Sequence, residues 1–155
     1  MKPWFDDLQR QYPKSESREV LYDELGWQDL TNNPAYFDTC AIRMSTALLR
    51  AGVRLPGARM KANAGRLKGK RIEPGQGKLS RILKQIWGKP EVYRGEQEAR
   101  KGIGNRSGIA SFFRIHGTPT SGGHIDLIWH GSNGFQECAR SCFFSAMEIW
   151  FWPVK

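Results

Sequence analysis

Apolar spacing changes character once along this chain, and that change constrains the fold more than any composition figure. Up to Trp87, outside residues 53–77, the apolar residues recur at helical intervals; from Gly108 onward they alternate or run together as in strands. Phe5–Tyr12 reads as a short helix, and Ser15–Gly26 as a second with Val20, Leu21 and Leu25 turned inward. Thr31-Asn32-Asn33-Pro34 is a turn, after which Asp38 or Thr39 caps a third helix. That helix carries Cys40, Ile42, Met44, Ala47, Leu48 and Ala51 and stops at Gly52. Val53–Gly77, rich in Gly, Pro, Lys and Arg, reads as a long surface excursion with a short strand near Arg71-Ile72. Leu79–Trp87 is a further amphipathic helix, ended by Gly88-Lys89-Pro90, and Glu96–Arg100 is helix or loop. Strands follow at Gly108–Ile115, His124–Trp129 and Met147–Pro153, with a turn at Gly131–Gly134; Trp129, Trp150 and Trp152 read as core residues. Helices first and antiparallel strands afterwards predict an α+β fold, with the cysteine helix packed on the sheet. No repeat or linker breaks the 155 residues, so one domain spanning 1–155 is expected.

Charge narrows the partner. Lys and Arg number 24 against 15 acids, a formal charge of +9, and much of the excess lies between Arg50 and Lys89. An anionic partner follows: nucleic acid, a membrane surface or an anionic wall polymer. No apolar stretch approaches the roughly 20 residues needed to span a bilayer. The start, Met1-Lys2-Pro3-Trp4-Phe5-Asp6-Asp7, lacks the apolar core of a secretory signal, so the chain is expected to be made in a cytoplasm.

Two residues carry chemistry together. Cys40 opens a helix, where free backbone N–H groups and the helix dipole favour a thiolate. His124 opens an apolar strand after the turn Thr118-Pro119-Thr120-Ser121-Gly122-Gly123, whose last two glycines leave room for a substrate backbone. A thiol with a remote imidazole base is the arrangement of nucleophilic amide hydrolysis. Asp126 shares the strand face of His124 and is the candidate to orient it, with Gln136 and Glu137 beyond the Gly131–Gly134 turn as alternatives. Arg43, one turn past Cys40, either faces the cleft to bind a carboxylate or pairs with an acid. Cys138 and Cys142, four apart, form a short disulfide that leaves Cys40 free, remain two thiols, or bind metal. His116, His124 and His130 fall into no zinc spacing with them, so no metal and no cofactor are expected.

Thr39-Cys40-Ala41-Ile42-Arg43-Met44-Ser45, Gly122-Gly123-His124-Ile125-Asp126-Leu127 with Trp129, and the closing Ile149-Trp150-Phe151-Trp152-Pro153 resemble the type VI secretion amidase effectors of group 4. The likeness spans nearly the whole chain, the order of elements and the late cysteine pair. It implies a papain-like fold of the NlpC/P60 type forming a single catalytic amidase domain. It also implies cleavage of the D-glutamyl–diaminopimelate bond of peptidoglycan stem peptides, with Cys40 as nucleophile and His124 as base. Such toxins pass through the type VI secretion apparatus into a competitor's periplasm, and their producers carry a cognate immunity protein. That destination suits a Cys138–Cys142 disulfide and the missing signal. In one respect the chain departs from the family: its members carry an acid inside the late cysteine-flanked segment, where this chain has Arg140.

The rival reading is a basic nucleic-acid-binding module or nuclease, resting on the charge of Arg50–Lys89. It lacks a helix-turn-helix, zinc-finger or RNP pattern and clustered acids for Mg²⁺, so no nucleic-acid partner is expected. A third reading keeps the Cys/His pair but makes the reaction transpeptidation, or amide hydrolysis on protein side chains.

Overall fold

The computed structural model describes residues 1–115 and 122–155. The turn expected at Thr118–Ser121 and the side chain of His116 lie outside the described residues. Helices α1 (Phe5–Gln11), α2 (Arg18–Leu25) and α3 (Cys40–Arg50) come first, then a two-residue ribbon of β1 (Met60–Lys61) and β2 (Arg71–Ile72). Helix α4 (Gln76–Trp87), strand β3 (Glu91–Tyr93) and helix α5 (Glu96–Ile103) follow. Strands β4 (Gly108–Phe113), β5 (His124–His130), β6 (Gln136–Cys138) and β7 (Glu148–Pro153) complete an antiparallel five-stranded sheet in the order β3-β7-β4-β5-β6. The architecture is α+β.

Helix α3 is the axis of the molecule. Cys40 through Leu48 are all buried, against α1, α4, β2 and β5. Small and apolar residues all round permit this, and the polar ones find partners inside. Ser45 Oγ donates to the Glu73 carbonyl at 3.1 Å, and Thr46 Oγ1 to the Ile42 carbonyl at 2.8 Å. The helix stops where Gly52 takes φ 90°, a left-handed conformation that a side chain would resist. Alternation along the strands sorts the sheet's two faces. Ile109, Ile125, Leu127 and Trp152 pack beneath α3 and α4, whereas Ala110, Phe112, Ile128, Ile149 and Phe151 pack with α5 on the other side.

Four expectations are corrected. Residues 53–77 run along the surface, with the expected strand at Arg71–Ile72, but are not a loose excursion: Val53, Leu55, Ala58, Ala62, Leu67 and Ile72 are buried. The segment is pinned by a buried Glu73, which accepts from Arg59 Nη2 at 2.6 Å and from the Gly75 N–H at 2.8 Å. Its apolar residues are spaced too widely to show periodicity, because the ribbon and turns bury them one at a time. Val20 is turned outward, 54% exposed, because Leu21, Tyr22 and Leu25 form the inner stripe of α2. Of the three tryptophans expected in the core, only Trp152 is fully buried; Trp129 and Trp150 are partly buried and pack against that core. Arg43 neither lines a cleft nor meets an acid. It is buried, donating from Nε to Thr39 Oγ1 at 2.8 Å and from Nη1 to the Pro13 carbonyl at 2.6 Å, so it ties α3 to the segment after α1.

Candidate active site

Cys40 is the first residue of α3, and its N–H donates to Asp38 Oδ1 at 3.1 Å. Asp38, not Thr39, supplies that acceptor; the Thr39 side chain makes no cap bond. Strand β6 pairs with β5 from Ile128 onward and the Ala139 N–H reaches the Leu127 carbonyl at 3.2 Å, so only the very start of β5 has no strand beside it on that side. The start of α3 lies there. The thiol, in a residue only 6% exposed, meets the backbone N–H of Ile125, the residue after His124.

His124 and Asp126 share a face of β5, and the imidazole Nε2 lies 2.8 Å from Asp126 Oδ2. The His124 side chain is 12% exposed and that of Asp126 is fully buried. The ring is held by Phe112, stacked at 6.1 Å, and by Phe143, edge-on at 4.9 Å. Asp126 is fixed in turn: Oδ1 accepts from its neighbour's N–H, Leu127, at 2.8 Å, and Oδ2 accepts from the N–H groups of Arg140 and Ser141, each at 3.0 Å. Those two donors lie inside the five-residue loop that the Cys138–Cys142 disulfide closes, with Cα atoms 5.3 Å apart. Arg140 offers its backbone N–H to Asp126 and sends its guanidinium to the Lys14 carbonyl at 2.7 Å.

Asp126 otherwise accepts only from N–H donors, so Nε2 is the ring nitrogen that donates to it, and Nδ1 is the nitrogen not engaged by Asp126. Gln136 and Glu137 are excluded as partners of His124. Gln136 is bound to Arg100 and the Gly104 carbonyl, and Glu137 to Trp129, and both pair with the far end of β5 at His130 and Trp129. The space expected beside Gly123 is filled by the Gln76 side chain, whereas Gly122 has open space around it.

The thiol does not stand as the thiolate its helix position suggested. Burial pushes it up most, and the Asp38 carboxylate adds to that; the N–H groups of Ile125 and Ala41 pull the other way and do not win. The sulfur therefore keeps its proton until a base takes it. Asp38→Asn retains an acceptor for the Cys40 N–H but removes the charge that opposes the thiolate. Alkylation of Cys40 by iodoacetamide at pH 8 is expected to quicken several-fold in this variant; a slower reaction would contradict the assigned direction.

Sequence reasoning missed Tyr12. Its hydroxyl is buried with no hydrogen-bond partner among the described residues, and it lies near Cys40 and Asp126. Burial, then Asp126 and Cys40, push its ionisation up, so it stays a neutral phenol. Nothing in the local pattern of α1 marks it; only the packing of α1 on α3 brings it there. Among the described residues no group of three or more His, Cys, Asp or Glu is placed to hold a metal ion, and no helix is long and apolar enough to cross a membrane.

Residues 36–152, which include Cys40, His124, Asp126 and the disulfide loop, match the family described as type VI secretion system (T6SS), amidase effector protein 4, Tae4. The chain belongs to the Tae4 family. It is a type VI secretion amidase effector that acts on peptidoglycan. No curated protein matches the chain closely enough to count as a relative. Among solved structures it resembles the Enterobacter cloacae effector Tae4, with a TM-score of 0.77 at 21% identity, over 100% of this chain and 98% of the other. The Tae4–Tai4 effector–immunity complex of the same organism gives 0.75 at 21% identity, and that of Salmonella Typhimurium 0.74 at 20%, each over 100% of both chains. At such identities these likenesses speak for the Tae4 fold alone. Family membership disfavours the nucleic-acid reading of the basic segment.

Proposed function

We propose that Cys40, His124 and Asp126 form the catalytic centre, and that it hydrolyses the D-glutamyl–diaminopimelate bond of peptidoglycan stem peptides in the periplasm of a target bacterium. The observation that carries this is the His124 Nε2–Asp126 Oδ2 contact of 2.8 Å, on the strand whose next N–H faces the Cys40 thiol. Nδ1 of His124 takes the thiol proton as sulfur attacks the glutamyl carbonyl carbon. Backbone N–H groups at the start of α3 face the developing oxyanion. Collapse of the tetrahedral intermediate breaks the C–N bond, and the diaminopimelate amine leaves with the proton from His124. Water, deprotonated by the same imidazole, then cleaves the thioester, returning the thiol and releasing a glutamate carboxylate. Asp126 holds the ring and its tautomer throughout and stabilises the imidazolium formed at each transfer.

The disulfide suits an oxidising periplasm, where the loop that holds Asp126 stays closed. The effector–immunity complexes of the similar proteins support a cognate immunity protein for this chain.

The test is digestion of soluble stem-peptide fragments by the wild type and by His124→Ala, read by mass spectrometry. The wild type is expected to release fragments that begin with diaminopimelate. His124→Ala should slow release by about 10³-fold or more. Cleavage at another bond would overturn the substrate assignment, and undiminished cleavage by His124→Ala would overturn the base.

A further inference from the structure

We propose that a basic cleft at the far end of α3 binds carboxylates of a neighbouring stretch of the wall polymer while the catalytic end works on one stem. The cleft is open and has a volume of about 910 Å³. Its walls include the apolar Leu55 and the indole of Trp87, and its rim carries Lys2, Arg54, Lys70 and Arg71. All four cations are exposed. None has a carboxylate within ion-pair distance among the described residues, whereas Arg10, Arg50, Arg59, Arg100 and Arg106 each have one. Like charges gathered without acids repel one another, and an entering anion relieves that repulsion. One of them is already positioned: Lys2 Nζ donates to the Pro153 carbonyl at 2.9 Å and lies 5.7 Å from the centre of the Trp87 ring.

The ligand follows from the substrate. The chain acts on peptidoglycan, whose D-glutamate and diaminopimelate residues keep free carboxylates beside their linkages and recur on successive stems. Cys40 opens α3 and Leu49, near its other end, lines the cleft. At about 1.5 Å per residue the two sites are roughly 14 Å apart along the helix, too far for one small fragment and within reach of a polymer. Holding the polymer at a second point raises the local concentration of stems at Cys40 with no change in the chemistry. The inference rests on the peptidoglycan substrate and not on which residue is the nucleophile.

The experiment combines Arg54→Gln, Lys70→Gln and Arg71→Gln in the full chain. A control combines Lys61→Gln, Lys101→Gln and Lys155→Gln, which remove the same charge at exposed sites outside the cleft. Co-sedimentation with purified sacculi is measured in a Cys40→Ala background, and turnover in the otherwise wild-type protein, once circular dichroism has shown the fold intact. The cleft variant is expected to bind sacculi about tenfold more weakly and to cleave them about tenfold more slowly, while a soluble single-stem fragment is cleaved within about twofold of wild type. The control should change neither. Equal losses in cleft variant and control, equal losses on both substrates, or loss only of binding to the immunity protein would each overturn the proposal. A Cys40→Ala protein that still cleaved would fail the nucleophile assignment and leave this comparison standing, because the sets differ only at the basic residues.

Discussion

Cys40→Ala is expected to reduce peptidoglycan cleavage by about 10⁴-fold or more, with the fold preserved. The size of the effect follows from chemistry: no other described thiol is free, since Cys138 and Cys142 are bonded to each other. Without the sulfur, water would have to attack the amide directly, with only backbone N–H groups and substrate binding to help it. The fold should persist because alanine suits the first turn of a helix and keeps the N–H that donates to Asp38. The sulfur is one small buried group, and its loss costs about 1 kcal/mol in packing. Stem-peptide turnover and a urea midpoint check the two halves. Activity within tenfold of wild type would contradict the assignment.

Asp126→Ala should damage both activity and stability, which separates it from Cys40→Ala. The carboxylate accepts from His124 and from the N–H groups of Leu127, Arg140 and Ser141, in a residue with no exposure. Removing it strands several donors in the interior at about 1–3 kcal/mol each, so a loss of roughly 3 kcal/mol or more is expected. Turnover should also fall by about 10³-fold, because nothing then holds the His124 proton on Nε2. Asp126→Asn keeps the shape and presents an amide, of which one half donates rather than accepts. It should recover part of the stability but little of the activity. Denaturation midpoints and turnover for both variants measure this split. Full activity in Asp126→Asn would reduce Asp126 to a structural role.

How far the sequence could be read depended on whether a residue's role was local. Cys40 at the start of α3 and His124 at the start of β5 were legible, because a cap, a turn and an apolar run fix such positions within a few residues. The order of helices and strands was legible for the same reason. Asp126 was the favoured partner of His124 by strand alternation, but its other donors, 14 and 15 residues later, depend on how the disulfide loop folds back on β5. Arg43 reads as a cleft residue by helical spacing; its burial against Pro13 is set by the packing of α1 on α3. The three-residue strands β3 and β6 escaped because each is only a short addition to a longer neighbour, with no periodicity of its own. The basic segment showed its charge and hid its core residues. The thiol illustrates the limit most sharply: its place at a helix N-terminus was visible, and the burial that outweighs it was not.

The most direct test of the catalytic centre is acid-quenched intact mass analysis of the protein during turnover of a stem peptide, followed by peptide mapping. The account predicts a transient adduct equal to the acyl half of the substrate, on Cys40 alone and absent from Cys40→Ala. An adduct on another residue, or steady cleavage by Cys40→Ala with no adduct at all, would contradict it.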